Sequence, residues 1–416
     1  MTQTDAGQGR YIDRRESMAE TDVLVESRTP TSDMDIWSDE VLTNPYPYYR
    51  QLRDLGPAVW LTKHGVWVVP RYSSIREALL NWEVFTSKNG TAMNAVMNQA
   101  VDGILLLSGE PEHQRLRRTF VKPLQPQTLK KLQDRLTALA EQRVEELLGK
   151  GEFDAVADLA QFLPLSVVTE LLGLGEEGKK HMLRWGAGLF DGQGPDGYPR
   201  TIAGLEVAKE AFTYLSNIKR SELDPEGWGA ALFNAADAGE LSYQEARYML
   251  LDYTAPALDT TINGFSSTFY MLGRNPDQWE TLRQNPERLP FAIDEALRME
   301  SPIRLFTRTL TRDFDLEGVE MKEGDRAIML SAAANRDERH YPDPDSYDIM
   351  RDSRDHVAFG YGIHMCAGRH LGKLEITTVF KVLLKRLKSF EIIEERRELQ
   401  NNLRGLAKLV IRANPL

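Results

Sequence analysis

The sequence predicts a mainly α fold with small β-sheets, one domain over residues 31–416 crossed by a long central helix. Three observations predict it. Apolar residues recur at three- and four-residue spacing along several stretches, the period of an amphipathic helix. Extended runs are short and few. After residue 30 the chain shows neither an internal repeat nor a linker.

Taken in order, residues 58–61 and 66–69 are extended runs flanking Thr62-Lys63-His64-Gly65 and read as a β-hairpin. Residues 127–148 carry leucines and valines at helical spacing and end before Gly149. Residues 162–172 form another apolar helical stretch, and 186–199 read as a Gly/Pro-rich loop. The longest helical pattern runs from 243 to about 273. Ser242 and Glu245 open it in capping-box spacing, and Asn275-Pro276 closes it. One continuous helix of that length is roughly 45 Å long. A shorter helix, 290–300, stops at Ser301-Pro302, and a strand-like patch spans 304–311. A loop rich in Asp, Pro and Arg covers 335–355, and a last helix runs from about 367 to 387.

Of the 416 residues, 42% are hydrophobic and 27% charged, a globular balance. The net charge of −11 argues against a nucleic-acid partner, which calls for a basic footprint. Residues 1–30 are polar and charged, read as a mobile arm, and hold no apolar core of a signal peptide. No run of eighteen apolar residues is evident, so the expected setting is the cytoplasm with no membrane contact. A single cysteine rules out an intramolecular disulfide.

That cysteine lies in Phe359-Gly360-Tyr361-Gly362-Ile363-His364-Met365-Cys366-Ala367-Gly368, where a glycine-bent loop enters a helix. A thiolate there faces the first amide N–H groups of the helix, which should lower its pKa. Gly360 and Gly362 permit tight turns, and Gly368 lets a flat ring lie against the helix start. The residues alone also allow a buried structural thiol. Zinc bound by His364, Cys366 and His370 fits poorly, because no second cysteine completes the set.

This stretch resembles the haem-binding loop of the cytochromes P450, Phe-x-x-Gly-x-His-x-Cys-x-Gly, at every fixed position. The resemblance implies a single triangular domain with its long helix over haem b, Cys366 as the proximal iron ligand and His364 as partner of a haem propionate. In that family the thiolate pushes electron density onto the iron. His113 and Arg117, at i and i+4, match the family's His-x-x-x-Arg helix, and Arg308 its strand arginine. Phe359, Gly368 and Ala257 are then further cofactor contacts. Glu295 and Arg298 resemble the family's Glu-x-x-Arg scaffold pair, and Asn335-Arg336-Asp337 with 348–351 its structural loop. Asp259 and Thr260 resemble the acid and hydroxyl that pass protons during oxygen activation. Ala257 replaces the family's usual glycine, and Pro256 before it should kink the helix.

The resemblance spans residues 44–409 and implies a monooxygenase that inserts one atom of O2 into a C–H bond of a small organic substrate, by hydroxylation or O-demethylation. A peroxide-driven peroxygenase and a non-catalytic haem sensor are the alternatives, and the Asp259–Thr260 relay favours the oxygen-dependent enzyme. With no flavin or iron–sulfur motif, electrons are expected from a separate ferredoxin and ferredoxin reductase. Residues 113–133 carry Arg115, Arg117, Arg118, Lys122, Lys130 and Lys131 without an acid, a surface suited to an acidic ferredoxin.

By resemblance the substrate pocket takes in Met93 to Leu107, Phe190, Asp252, Tyr253, Pro256, Ile303, Leu305, Phe306 and Leu406, and the chain looks most like enzymes that oxidise para-substituted benzoates. Asp252, Pro256 and Thr260 at i, i+4 and i+8 share one face of a continuous helix. An ionised Asp252 on that face repels a benzoate, which predicts a neutral polar or cationic substrate.

Overall fold

The computed structural model describes residues 29–100, 103–254 and 256–416. The expected N-terminal arm lies outside the described residues, apart from Thr29 and Pro30.

The hairpin forms where the extended runs place it, Val59–Leu61 antiparallel to Val66–Val69. It belongs to a six-stranded sheet ordered Thr31–Ser32, Val59–Leu61, Val66–Val69, Arg326–Met329, Phe306–Leu310, Phe85–Thr86. Strand alternation buries Trp67, Val69 and Met329 in one apolar cluster and Val66, Val68 and Ile328 in another on the opposite face. Arg308 sits opposite Ala327 in this sheet. A second sheet joins the ribbon of Leu387–Leu399 and Arg404–Pro415 to Glu152–Asp154.

The remaining chain is largely helical around one large core that includes Leu136, Val144, Leu250, Phe269, Leu297 and Phe380. The ribbon lies directly on the helix Asp259–Arg274 at Gly405, where an added Cβ would come 2.0 Å from Asn263 Oδ1. Only glycine fits that crossing.

Where the periodicity predicts one central helix, the chain makes two, Tyr243–Thr254 and Asp259–Arg274. The capping box forms: Glu245 N–H donates to Ser242 Oγ at 3.1 Å and Ser242 N–H to Glu245 Oε2 at 2.6 Å. The break follows from Pro256, which offers no N–H to the Asp252 carbonyl one turn back and clashes there. Thr260 Oγ1 instead donates to the Pro256 carbonyl at 2.6 Å.

Two further readings need correction. The expected loop at 186–199 is helical as far as Asp191, in a helix Glu176–Asp191. Gly188 serves packing there, since a Cβ at that position would meet Val207 Cγ1 at 2.4 Å. The helix expected over 127–148 is split into Pro126–Lys130 and Gln133–Lys150, and ends at Gly151 with φ +76°. The stretch Ala155–Leu172 is long and apolar enough to cross a membrane by length and composition, with a mean hydropathy of 1.5. It carries Asp158 and Glu170, and Val156, Leu159, Leu163, Val167 and Leu172 pack into the large core. It is built as a core element.

Candidate active site

The segment before Cys366 is tied down residue by residue. Val357 N–H donates to Asn335 Oδ1 at 2.8 Å and Ala358 N–H to His356 Nδ1 at 3.1 Å. Cys366 N–H donates to the Phe359 carbonyl at 2.8 Å, closing the loop on itself. Gly360 and Gly362 both adopt φ +71°, the left-handed region that glycine enters freely. A Cβ at Gly362 would also meet the Leu79 carbonyl oxygen at 2.6 Å. The helix Arg369–Arg386 starts immediately beyond, and a Cβ at Gly368 would lie 3.9 Å from Cys366 Sγ.

Cys366 is half-buried at this junction. The expected lowering of its pKa is outweighed: burial pushes the thiol up, against the N–H groups of Gly368 and Arg369 and the charges of Arg117 and Arg369. A metal bound to the sulfur reverses that balance, because coordination deprotonates a thiol.

Beside the loop, four cationic or donor groups gather. Arg308 is buried, donates one N–H to the Thr307 carbonyl at 2.7 Å and pairs with no carboxylate among the described residues; burial alone lowers it to about 10. Arg117 donates to the Met365 carbonyl, and burial lowers it as well. His113 Nδ1 lies 3.3 Å from Glu110 Oε1, whereas its Nε2 is buried without a partner. His364 Nε2 lies 3.1 Å from Ser87 Oγ, and burial, then Arg308, His113 and Arg117, push the ring down to about 2. A buried guanidinium without a counter-charge is costly, and an orphaned buried nitrogen is rare in folded proteins. Both are answered by an anionic group with two carboxylates. The thiol, the glycine-cleared helix start and this donor set together fit haem and its propionates.

The helix break contributes a second set of polar residues. Asp259 opens the helix Asp259–Arg274 with its Oδ2 buried and unpartnered. Burial, then Glu398 and Asp191, raise it to about 8. Asp191 accepts the Asn401 N–H at 2.8 Å and is itself raised to about 6, chiefly by burial. Asp259 and Thr260 are adjacent at the first turn, and Ala257 lies half-buried in the break.

The pocket residues divide. Asp252 Oδ2 accepts the Leu105 N–H at 2.9 Å, and burial raises its carboxyl to about 7. The helix break also removes the shared face on which Asp252, Pro256 and Thr260 were to align, so the argument from repulsion loses its geometry. Tyr253 turns away, donating to the Phe120 carbonyl and stacking on the Phe120 ring at 4.1 Å. Leu305 packs with Ile328 and Leu330 on the sheet, whereas Phe306 is half-buried. Ile303 bridges to Leu403, and Leu406 and Phe190 are buried.

Glu295 and Arg298 are fully buried and joined by two 2.8 Å hydrogen bonds. Arg298 also holds the carbonyls of Asn335 and Pro344, and Arg351 Nε reaches Glu295 at 3.0 Å, so the pair braces the segment that leads into the cysteine loop. Reading the sequence places Asn335 in a structural loop but misses its bond to Val357, and it misses His356 as a loop anchor and Glu375 as a buried acid. Both Glu375 oxygens are buried without partners beside Thr261 and Phe265, and burial raises the acid to about 8. No spacing rule signals these residues, because their partners come from other elements.

The basic surface at 113–133 is smaller than its composition suggests. Arg115 is paired with Glu112 and Glu245, and Lys122 with Glu240 at 2.7 Å. Arg118, Lys130 and Lys131 are exposed and form no ion pair with the described residues.

Comparison with known proteins adds three findings. A family model described as Cytochrome P450 matches residues 228–415. Cytochrome p450 CYP199A2 of Rhodopseudomonas palustris is 35% identical over 391 residues, covering 93% of this chain and 95% of that protein. Two solved structures superpose closely. One is P450BioI in complex with acyl carrier protein bearing hexadec-9Z-enoic acid, with a TM-score of 0.82 and 25% identity over 90% of this chain and 99% of that one. The other is cytochrome P450 CREJ in complex with (4-ethylphenyl) dihydrogen phosphate, with a TM-score of 0.80 and 26% identity over 90% and 98%.

Proposed function

This chain belongs to the cytochrome P450 family of monooxygenases, and from that premise we propose that it inserts one oxygen atom of O2 into a C–H bond of a small para-substituted aromatic compound, by hydroxylation or O-demethylation. The observation that carries the reading is the convergence of Arg308, Arg117, His113 and His364, with one carboxylate at the rim, beside the glycine-cleared Cys366.

In this proposal Cys366 would ligate the iron of haem b, and Arg308, Arg117, His113 and His364 would hold its propionates. Phe359, Gly368 and Ala257 would lie against the macrocycle. Haem, when bound, supplies the one-electron chemistry that activates dioxygen. The protein adds a proton source. Asp259, raised to about 8, keeps a proton at neutral pH and passes it toward the cofactor through Thr260 and water. That relay favours the oxygen-dependent reaction over a peroxygenase, since peroxide arrives already reduced.

The substrate reading rests on the likeness to benzoate-oxidising members and on the small aryl ligand carried by the CREJ structure. Asp252 is engaged with Leu105, which leaves a benzoate carboxylate acceptable and withdraws support from an exclusively neutral or cationic substrate. Phe306, Ile303, Leu406 and Pro256 are the remaining proposed lining. Electrons come from a separate ferredoxin and its reductase in the cytoplasm, with docking guided by Arg118, Lys130 and Lys131.

A panel of para-substituted benzoates, their amides and benzylamines, scored by the optical spin-state shift, tests this proposal. Shifts with the para-substituted aromatics followed by ferredoxin-driven oxygenation support it. Response only to long aliphatic or steroid ligands contradicts it.

A further inference from the structure

His356 is a buried imidazole two and three residues ahead of Ala358 and Phe359, with a hydrogen bond at Nδ1 and a carboxylate close to Nε2. Nδ1 accepts the Ala358 N–H at 3.1 Å, and an acceptor nitrogen carries no proton. The proton of the neutral ring is therefore on Nε2, which faces Asp294 Oδ1 at 3.4 Å. Asp294 is held in turn by Lys373 Nζ at 2.7 and 2.8 Å, and Lys373 lies on the helix that leaves Cys366. The ring of Phe359 packs 5.5 Å from that of His356, and the Phe359 carbonyl takes the N–H of Cys366. A chain of contacts thus runs from Lys373 through Asp294, His356 and Ala358 to the peptide of the cysteine itself.

We propose that His356, fixed in its Nε2–H tautomer by Asp294 and Lys373, is a positioning residue for the thiolate: it pins Ala358 and, through Phe359, sets the peptide of Cys366. The inference rests on the haem-thiolate reading above. A carboxylate selects the tautomer of the ring, as it does for histidines that bind metals, and the other nitrogen then acts on a backbone amide. No other side chain bonds the Ala358 N–H among the described residues.

Two amide variants of the haem-loaded protein separate the two nitrogens. His356→Asn places an oxygen near the position of Nδ1 and keeps the bond to Ala358. His356→Gln places its polar atoms near Nε2 and loses that bond. Hydrogen exchange of segment 357–366 should stay near wild type in the Asn variant and speed up roughly tenfold in the Gln variant, as loss of one buried hydrogen bond implies. The Gln variant should also shift the haem reduction potential and lose part of the thiolate-type carbon-monoxide band, with both restored in the Asn variant. Wild-type exchange and potential in the Gln variant overturn the proposal, as does an Asn variant as impaired as Gln. The 15N shifts of the His356 ring need no substitution: protonated Nδ1 with bare Nε2 also overturns it. Exchange and tautomer report the pin, whereas the wild-type carbon-monoxide band reports the ligand, so failure of one reading is distinguishable from failure of the other.

Discussion

His113 and His364 meet edge to face, with ring centroids 4.5 Å apart and planes at 67°, and the charge of Arg308 bears on His364 from the neighbouring sheet. These three groups come from a helix, a strand and the cysteine loop; among the described residues Arg308 pairs with no carboxylate and His113 Nε2 has no partner.

Arg308→Met tests that relationship. In the haem-free protein the substitution removes a buried cation without a counter-charge, so the melting temperature should hold or rise. In the haem-loaded protein it would remove the proposed propionate partner, and breaking such a buried pair costs about 3–5 kcal/mol. Haem transfer to an acceptor globin should therefore accelerate by two orders of magnitude or more. Unchanged haem release would remove Arg308 from the cofactor site.

The acid at the helix break predicts a pH profile. Asp259 is raised to about 8, so it donates a proton at neutral pH and loses that ability as the pH rises through 8. Coupling of reductant use to product should fall over that range in the wild type and be low and flat in Asp259→Asn. Thr260→Ala should bind substrate normally but divert reductant into hydrogen peroxide. Full coupling in Thr260→Ala would exclude its hydroxyl from the relay.

Glu375 predicts a stability profile of definite sign. Its folded pKa, about 8, lies above the ordinary 4.5, so the folded state holds its proton more tightly than the unfolded chain does. The stability this contributes is present below pH 4.5 and is lost as the pH rises through 8, at up to about 1.4 kcal/mol per unit. Glu375→Gln has no such loss. Its melting temperature relative to wild type should rise between pH 5.5 and 9, and a difference independent of pH would show that Glu375 is ionised in the fold.

Much of this architecture is legible in the residues themselves, and the exceptions have physical causes. The hairpin, the capping box at Ser242 and Glu245 and the left-handed Gly360 and Gly362 follow from local rules. The break at Pro256 was anticipated only as a kink, because periodicity weighs the flanking apolar spacing and not the lost hydrogen bond. Gly186 and Gly188 read as loop residues, whereas both lie in the helix Glu176–Asp191, where Gly188 packs closely on Val207. The rise in the Cys366 pKa depends on burial by distant elements, and neutralisation of Arg115 by Glu245 joins positions far apart in the chain. Neither can be read from spacing.

That neutralisation refines the expected electron-entry surface. Exposed pairs such as Lys122–Glu240 contribute little net field, which leaves Arg118, Lys130 and Lys131. Reversing the charge at Arg118 or Lys131 should slow reduction by a ferredoxin severalfold at low salt, and the effect should shrink as salt screens it beyond about 8 Å. Reversal at Arg115 should also disturb its pairing and so is a poorer probe. Equal slowing from reversals on the Leu387–Leu399 ribbon would remove the patch.

The central claim is that Cys366 ligates a haem iron, and the carbon-monoxide difference spectrum of the reduced protein tests it most directly. Wild type should show the band typical of thiolate ligation, and Cys366→Ser should lose it while the helical circular-dichroism signal persists. A serine variant that retains the thiolate band would contradict the account.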